Sequence, residues 1–168
     1  MEITTIEQAD VFVKNLKRSD NWVSNDELLN KLNICKQLIE THKREDLIPF
    51  IYIHLSLYYI DLGEYGQAWI QTEVAKKYAK KSNNLESLLN AISNQYRIQR
   101  YLGNLETAQA LVNEQIDIAL EFNDPIQLFS AFLNQAYQYY LQNQKQEGIQ
   151  AFQKAIEYSI KSNSRYCL

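Results

Sequence analysis

The sequence predicts an all-α protein built as an array of helix pairs, and three observations carry that prediction. Glycine (4) and proline (2) are too scarce among 168 residues for a turn-rich β fold, whereas Leu, Ile, Ala, Gln, Glu and Lys suit helices. Leu62-Gly63-Glu64-Tyr65-Gly66-Gln67-Ala68 returns 40 positions later as Leu102-Gly103-Asn104-Leu105-Glu106-Thr107-Ala108, and a weaker copy, Gln142 to Gly148, follows after another 40. Self-similarity at a fixed spacing of this size marks a repeat array. Between these copies the apolar residues recur at helical three- and four-residue spacing. The length suits about four such units.

Taken in order, the segment from about Thr5 to Lys17 sets Ile6, Ala9, Val13 and Leu16 on one helical stripe. Ser19-Asp20-Asn21 reads as a loop, and Ser24 with Glu27 reads as a capping box that starts a second helix carrying Leu28, Leu32, Cys35 and Leu38 or Ile39. A third helix runs from about Asp46 to Leu62, with Pro49 in its first turn, where a missing N–H costs little. Gly63 ends it, because glycine takes a left-handed backbone without penalty. The fourth covers Glu64 to Lys81, and its late lysines complement the helix dipole. Asn83 with Glu86 caps a fifth helix that Gly103 breaks, and Asn104 starts a sixth that reaches Phe122. Asp124-Pro125-Ile126-Gln127 joins an N-cap, a proline at the first helical position and a capping-box glutamine, starting a seventh. This helix ends at Asn143, and an eighth runs to about Lys161.

Superposed at 40 residues, Phe12, Tyr52, Ile92 and Phe132 share a slot, as do Leu32, Thr72, Val112 and Phe152, and Leu38, Tyr78, Ile118 and Tyr158. Small residues recur where helices must approach closely: Ala68, Ala108 and Gly148, then Ala75 and Ala155, then Ala79, Ala119 and Ser159. Asn83, Asn123 and Asn163 mark one inter-repeat turn. The expected organisation is an irregular opening helix pair over 1–45, three repeats over 46–84, 85–124 and 125–164, and the first turn of a further helix.

A net charge of −3 gives no general attraction to phosphate backbones or anionic lipid, so nucleic acid is not an expected partner. Cys35 and Cys167 lie far apart and match no metal or redox spacing, which suits reduced thiols in a cytoplasmic protein. The first ten residues lack the basic and apolar regions of a signal peptide. The longest apolar stretch, Leu47 to Leu62, is interrupted by His54, Ser56 and Asp61, so no membrane span is expected. His42 and His54 have no partner that suggests a metal site or a triad, and there is no phosphate loop, G-x-S-x-G or HExxH. The expectation is a protein that is not an enzyme and holds no cofactor and no metal.

The pattern Tyr59…Gly63-x-Tyr65-x-x-Ala68…Ala75, with its copy Gly103-x-Leu105-x-x-Ala108, resembles tetratricopeptide repeats across the turn and second helix. The resemblance covers about 46–164 well and 5–45 weakly. A 40-residue period exceeds the family's usual 34 and resembles the longer repeats of bacterial signalling proteins. It implies a right-handed α-solenoid of antiparallel helix pairs, a superhelix of about eight helices whose first helices line a concave groove that binds peptides or protein segments. Carried onto this chain, the groove slots are Phe50, Ile53, His54 and Leu57, then Asn90, Ser93, Asn94 and Arg97, then Ser130, Leu133, Asn134 and Tyr137. His54, Asn94 and Asn134 fall in one equivalent slot. An amide there can hold the backbone of an extended peptide, offering donor and acceptor together, or it can bond a neighbouring helix instead. Arg97 and Arg100 can clamp a carboxylate or stand solvated. The basic set with which chaperone-binding relatives grip a C-terminal carboxylate is absent.

Leu168 falls in the slot of Leu88 and Leu128, one turn into a ninth helix, so the sequence is expected to be the N-terminal sensory or regulatory part of a longer signalling protein. The resemblance suggests a diguanylate cyclase or a kinase as its output. The alternative is a structural module that self-associates through an uncapped C-terminal end into a homo-oligomer, with no groove ligand.

Overall fold

The computed structural model describes residues 3–16 and 25–162. They form α1 (Ile6–Asn15), α2 (Asp26–Thr41), α3 (Ile48–Asp61), α4 (Tyr65–Lys81), α5 (Leu85–Tyr101), α6 (Leu105–Glu121), α7 (Pro125–Leu141) and α8 (Lys145–Lys161). There is no strand among the described residues. The all-α prediction holds, with helices that pack on their sequence neighbours as in an α-solenoid.

The turns explain the regularity. Lys43, Gly63, Asn83, Gly103, Asn123 and Asn143 all have positive φ, between 51° and 77°, and each follows the last by 20 positions. Every one carries the same pair of backbone bonds. At Asn83, for example, Asn83 N–H donates to Lys80 O at 3.3 Å and Asn84 N–H to Ala79 O at 2.9 Å. This Schellman pattern satisfies carbonyls that a helix end would otherwise leave open. Gly63, Gly103 and Asn143 end helices as expected, and Asn83 and Asn123 mark the inter-repeat turn. Lys43 is the unexpected member, because nothing in a lysine side chain favours that conformation.

Two helix starts differ from expectation. Asn84, not Asn83, caps α5, accepting from Ser87 N–H at 2.9 Å, because Asn83 is already committed to the left-handed turn. Asn25 caps α2 through a 2.9 Å bond from Leu28 N–H, and Ser24 lies outside the described residues. A capping box not expected from the sequence, Thr5 with Gln8, starts α1. Asp124 caps α7 as expected, accepting from Ile126 and Gln127 N–H at 3.0 and 3.2 Å.

The chain divides into two compact units, Met1–Asn94 and Gln95–Leu168, with the division inside α5 rather than at a repeat boundary. In the first, α1 packs on α2 and α3, α2 on α3, and α3 on α4. Ala9, Val13, Leu32, Cys35, Ile39, Ile51 and Leu55 are buried together there. Each large aliphatic side chain so buried stabilises by about 1.5–3 kcal/mol. The α3 helix is apolar all round because it is covered on several sides, and Ile53 joins Ala75 and Ala91 in a smaller cluster. In the second unit α7 packs on both α6 and α8. The expected slots prove to be partners: Phe132 stacks on Tyr158 at 5.5 Å between ring centroids. Gly148 stands where α8 closes on α7, and a Cβ there would lie 3.4 Å from Ala136 O. The small residue in that slot therefore serves close approach, as predicted.

Candidate peptide-binding surface

The first helices carry the residues to which the resemblance assigns binding, and the fold sorts them into two groups. In Met1–Asn94, His54 is 9% and Asn94 5% exposed. His54 donates from Nε2 to Val13 O at 2.7 Å, tying α3 to α1. Asn94 donates from Nδ2 to Ser56 Oγ at 2.8 Å, tying α5 to α3. The shared slot is real, but its function in this unit is to join one first helix to the preceding one. A buried polar group without such a bond would cost about 1–3 kcal/mol, which is why the slot is filled by a hydrogen-bonding side chain. His54 and Asn94 are therefore corrected from ligand-facing to internal. Ile53 is likewise a core residue, and Leu57 packs partly buried against its cluster. Phe50, Asn90 and Ser93 are partly exposed.

In Gln95–Leu168 the same slot is half open. Asn134 donates to Gln115 Oε1 at 3.0 Å, and its backbone carbonyl accepts from Tyr96 Oη at 3.1 Å. Beside it lies an open groove of about 910 Å³. Leu133, Asn134 and Tyr137 of α7 form one wall, Ile149 and Phe152 of α8 the other, and Arg100 of α5 an edge. Of the predicted residues, then, Leu133, Asn134 and Tyr137 together line a concave surface. Arg97 and Ser130 are partly exposed on the same helices and do not line it.

Arg100 is held over three rings, with its guanidinium carbon 4.6 Å from the Tyr137 centroid, 4.7 Å from Tyr101 and 5.6 Å from Tyr96. The π faces attract the cation. Lys145 adds a second cation to the groove, and no carboxylate is among the described lining residues. Burial pushes the Tyr101 hydroxyl up, but the combined pull of the Arg97 and Arg100 guanidinium groups outweighs it and holds the hydroxyl below its ordinary range.

Ile149, Phe152 and Tyr140 are site residues that the sequence did not predict. Phe152 falls in an expected core slot, and the signal that separates it is its size, since a phenylalanine stands where the other units have Leu32, Thr72 and Val112.

Among the described residues no group of His, Cys, Asp and Glu is arranged to hold a metal ion, and no helix is long and apolar enough to cross a membrane. The Cys35 thiol is buried in the first unit and is pushed up to about 11 by loss of solvent. Cys167 lies outside the described residues.

The fold defines an all-α protein of stacked helix hairpins. No protein-family model matches the chain, and no curated protein matches it either.

Proposed function

We propose that the chain is a non-catalytic interaction module of the tetratricopeptide type, which takes a peptide or protein segment and has a regulatory, signalling role. The observation that carries this reading is the groove in Gln95–Leu168, where Leu133 and Tyr137 are 39% and 46% exposed beside a cation held in place by tyrosine rings. A concave, mostly apolar surface with a few placed polar groups is the usual setting for recognition. Rigid tyrosines supply contact area at low conformational cost. The test is selection from a displayed peptide library against the chain, followed by calorimetric titration of the best peptide. Saturable binding is expected, weakened at least about tenfold by Leu133→Ser with Tyr137→Ala, a loss of about 1.4 kcal/mol. Selection of no peptide, or equal binding by the folded double variant, would overturn it.

A second reading, self-association without a groove ligand, is favoured by Ile156 and Ile160, which are 44% and 66% exposed on α8. Sedimentation equilibrium separates the two: self-association requires a dimer that Ile156→Glu dissolves, and a monomer at several hundred micromolar removes it.

A further inference from the structure

The α6–α7 turn carries Leu120, Phe122 and Ile126, exposed by 48%, 58% and 51%. None of them lines the groove between α7 and α8. A single exposed apolar side chain is ordinary, but apolar side chains gathered at one turn and rimmed by charge mark an interaction surface.

The earlier turns show that stacking does not cover these positions. In Met1–Asn94 the same register holds Glu40, His42 and Asp46 at the α2–α3 turn, all exposed, although the α4–α5 turn follows within that unit. Lys81 bonds Glu45 at 2.5 Å, so the following turn lies beside this one and leaves the three positions in solvent. At the α4–α5 turn the register holds Lys80, Ser82 and Glu86, again exposed. Water-facing positions that are polar at two turns are thus apolar at the third. The backbone does not demand the change, since Asn123 makes the same left-handed turn as Asn83, each with φ 51°.

Charge changes along with polarity. Asp117 and Glu121, exposed near the end of α6, stand where α4 has Lys77 and Lys81. Between Arg100 and Lys145 the chain has Glu106, Glu114, Asp117, Glu121 and Asp124, and no lysine, arginine or histidine. A negative field around an apolar patch favours a positively charged partner and disfavours an acidic one.

We infer that the α6–α7 turn docks a basic segment of a partner polypeptide, which sets apolar side chains on Leu120, Phe122 and Ile126 and lysine or arginine beside Asp117 and Glu121. This surface is separate from the groove, and the inference does not depend on the groove having a ligand. A second copy is a poorer fit. Pairing the patch with itself sets Asp117 and Glu121 against like charges, and the lysine-bearing α4–α5 turn offers Lys80, Ser82 and Glu86 where apolar side chains are needed.

The experiment titrates three synthetic 14-residue peptides into the full chain by fluorescence anisotropy. The first combines leucine and lysine, the second replaces its lysines with glutamate, and the third replaces its leucines with serine. Saturable binding of the first is expected, with both others at least tenfold weaker. The triple variant Leu120→Lys, Phe122→Ser, Ile126→Glu installs the residues of the α4–α5 turn, and should weaken binding at least tenfold. Asp117→Asn with Glu121→Gln should weaken it about two- to tenfold, the range of two exposed charge pairs. Phe122→Ser alone serves if the triple variant disturbs the circular dichroism spectrum. Leu133→Ser with Tyr137→Ala should leave this binding unchanged, which separates it from the groove. Equal binding of the glutamate or serine peptide overturns the inference, as does indifference to the Phe122 variants, or a loss confined to the groove variant. A dimer that the triple variant dissolves and the lysine peptide fails to compete overturns it in favour of a second copy.

Discussion

Leu32 and Phe152 hold the same place in the repeat, and their surroundings are opposite. Leu32 is sealed in the core of Met1–Asn94, whereas Phe152 is half exposed on the rim of a groove in Gln95–Leu168. The helical pattern around each is alike, so pattern alone does not decide burial. In a stacked array the burial of a helix face is set by the helix packed against it, so the identical register is sealed in one place and open in another.

The comparison is sharpest in stability. Leu32→Ala should cost about 2–5 kcal/mol by urea denaturation, as a large-to-small change at a sealed site. Phe152→Ala should cost less than about 1 kcal/mol, because solvent already reaches the ring. Equal losses at the two positions would break the contrast.

The shared slot of His54, Asn94 and Asn134 offers the next test. Asn94→Ala removes a buried donor and leaves Ser56 without it, so a loss of about 1–3 kcal/mol is expected. Asn134→Ala, at a half-open site, should lose roughly half as much. If Asn134→Ala proves the costlier, the second unit is not the more open one. Backbone effects come third. Gly63 has φ +75° and no heavy atom within 4 Å of the place a Cβ would take, so Gly63→Ala isolates conformational strain. About 1 kcal/mol is expected by thermal melting, against a change of a few tenths for Asn83→Gly at the equivalent left-handed turn.

The smallest effect is a difference in pH response. Burial lowers the pKa of His54 below 6.5, the bond to Val13 O opposing this only in part. The unfolded chain takes up that proton near 6.5 while the folded chain resists it. The His54 contribution is thus complete above about pH 6.5 and diminishes as pH falls toward the lower folded value. His54→Asn, which installs the residue its two siblings have, should flatten the melting temperature across that window. An unchanged slope would show that His54 is not the group responsible.

Much of this is legible in the sequence. Apolar stripes place α1 and α2 and the 40-residue echo places the helices from α3 onward, while glycine, asparagine and the Asp124-Pro125 pair mark several of their ends, because those residues act through local backbone physics. What stays hidden depends on neighbours. His54 and Asn94 look like ligand donors in a linear pattern, since a first helix in an array buries two faces and a buried amide repeats as regularly as an exposed one. The resemblance places Tyr137 and Asn134 at a groove, but Phe152 opposite them reads as core and Ile149 carries no signal of its own. Lys43 adopts a glycine-like conformation because the flanking helices demand it, and no propensity announces that.

The six left-handed residues stand 20 apart, and the five helices from α4 onward are each 17 residues long. The molecule is in that sense ruled at 20 rather than 40, with the same pair of turn bonds at Lys43 as at the glycine and asparagine turns. Excising 84–123 would join one asparagine turn to another of the same handedness and bond pattern, returning the chain to phase. Removing ten residues fewer would leave a helix ending in mid-turn. Length in this protein is therefore quantised, and sequence change within a helix is free to alter the surface while the turns keep count.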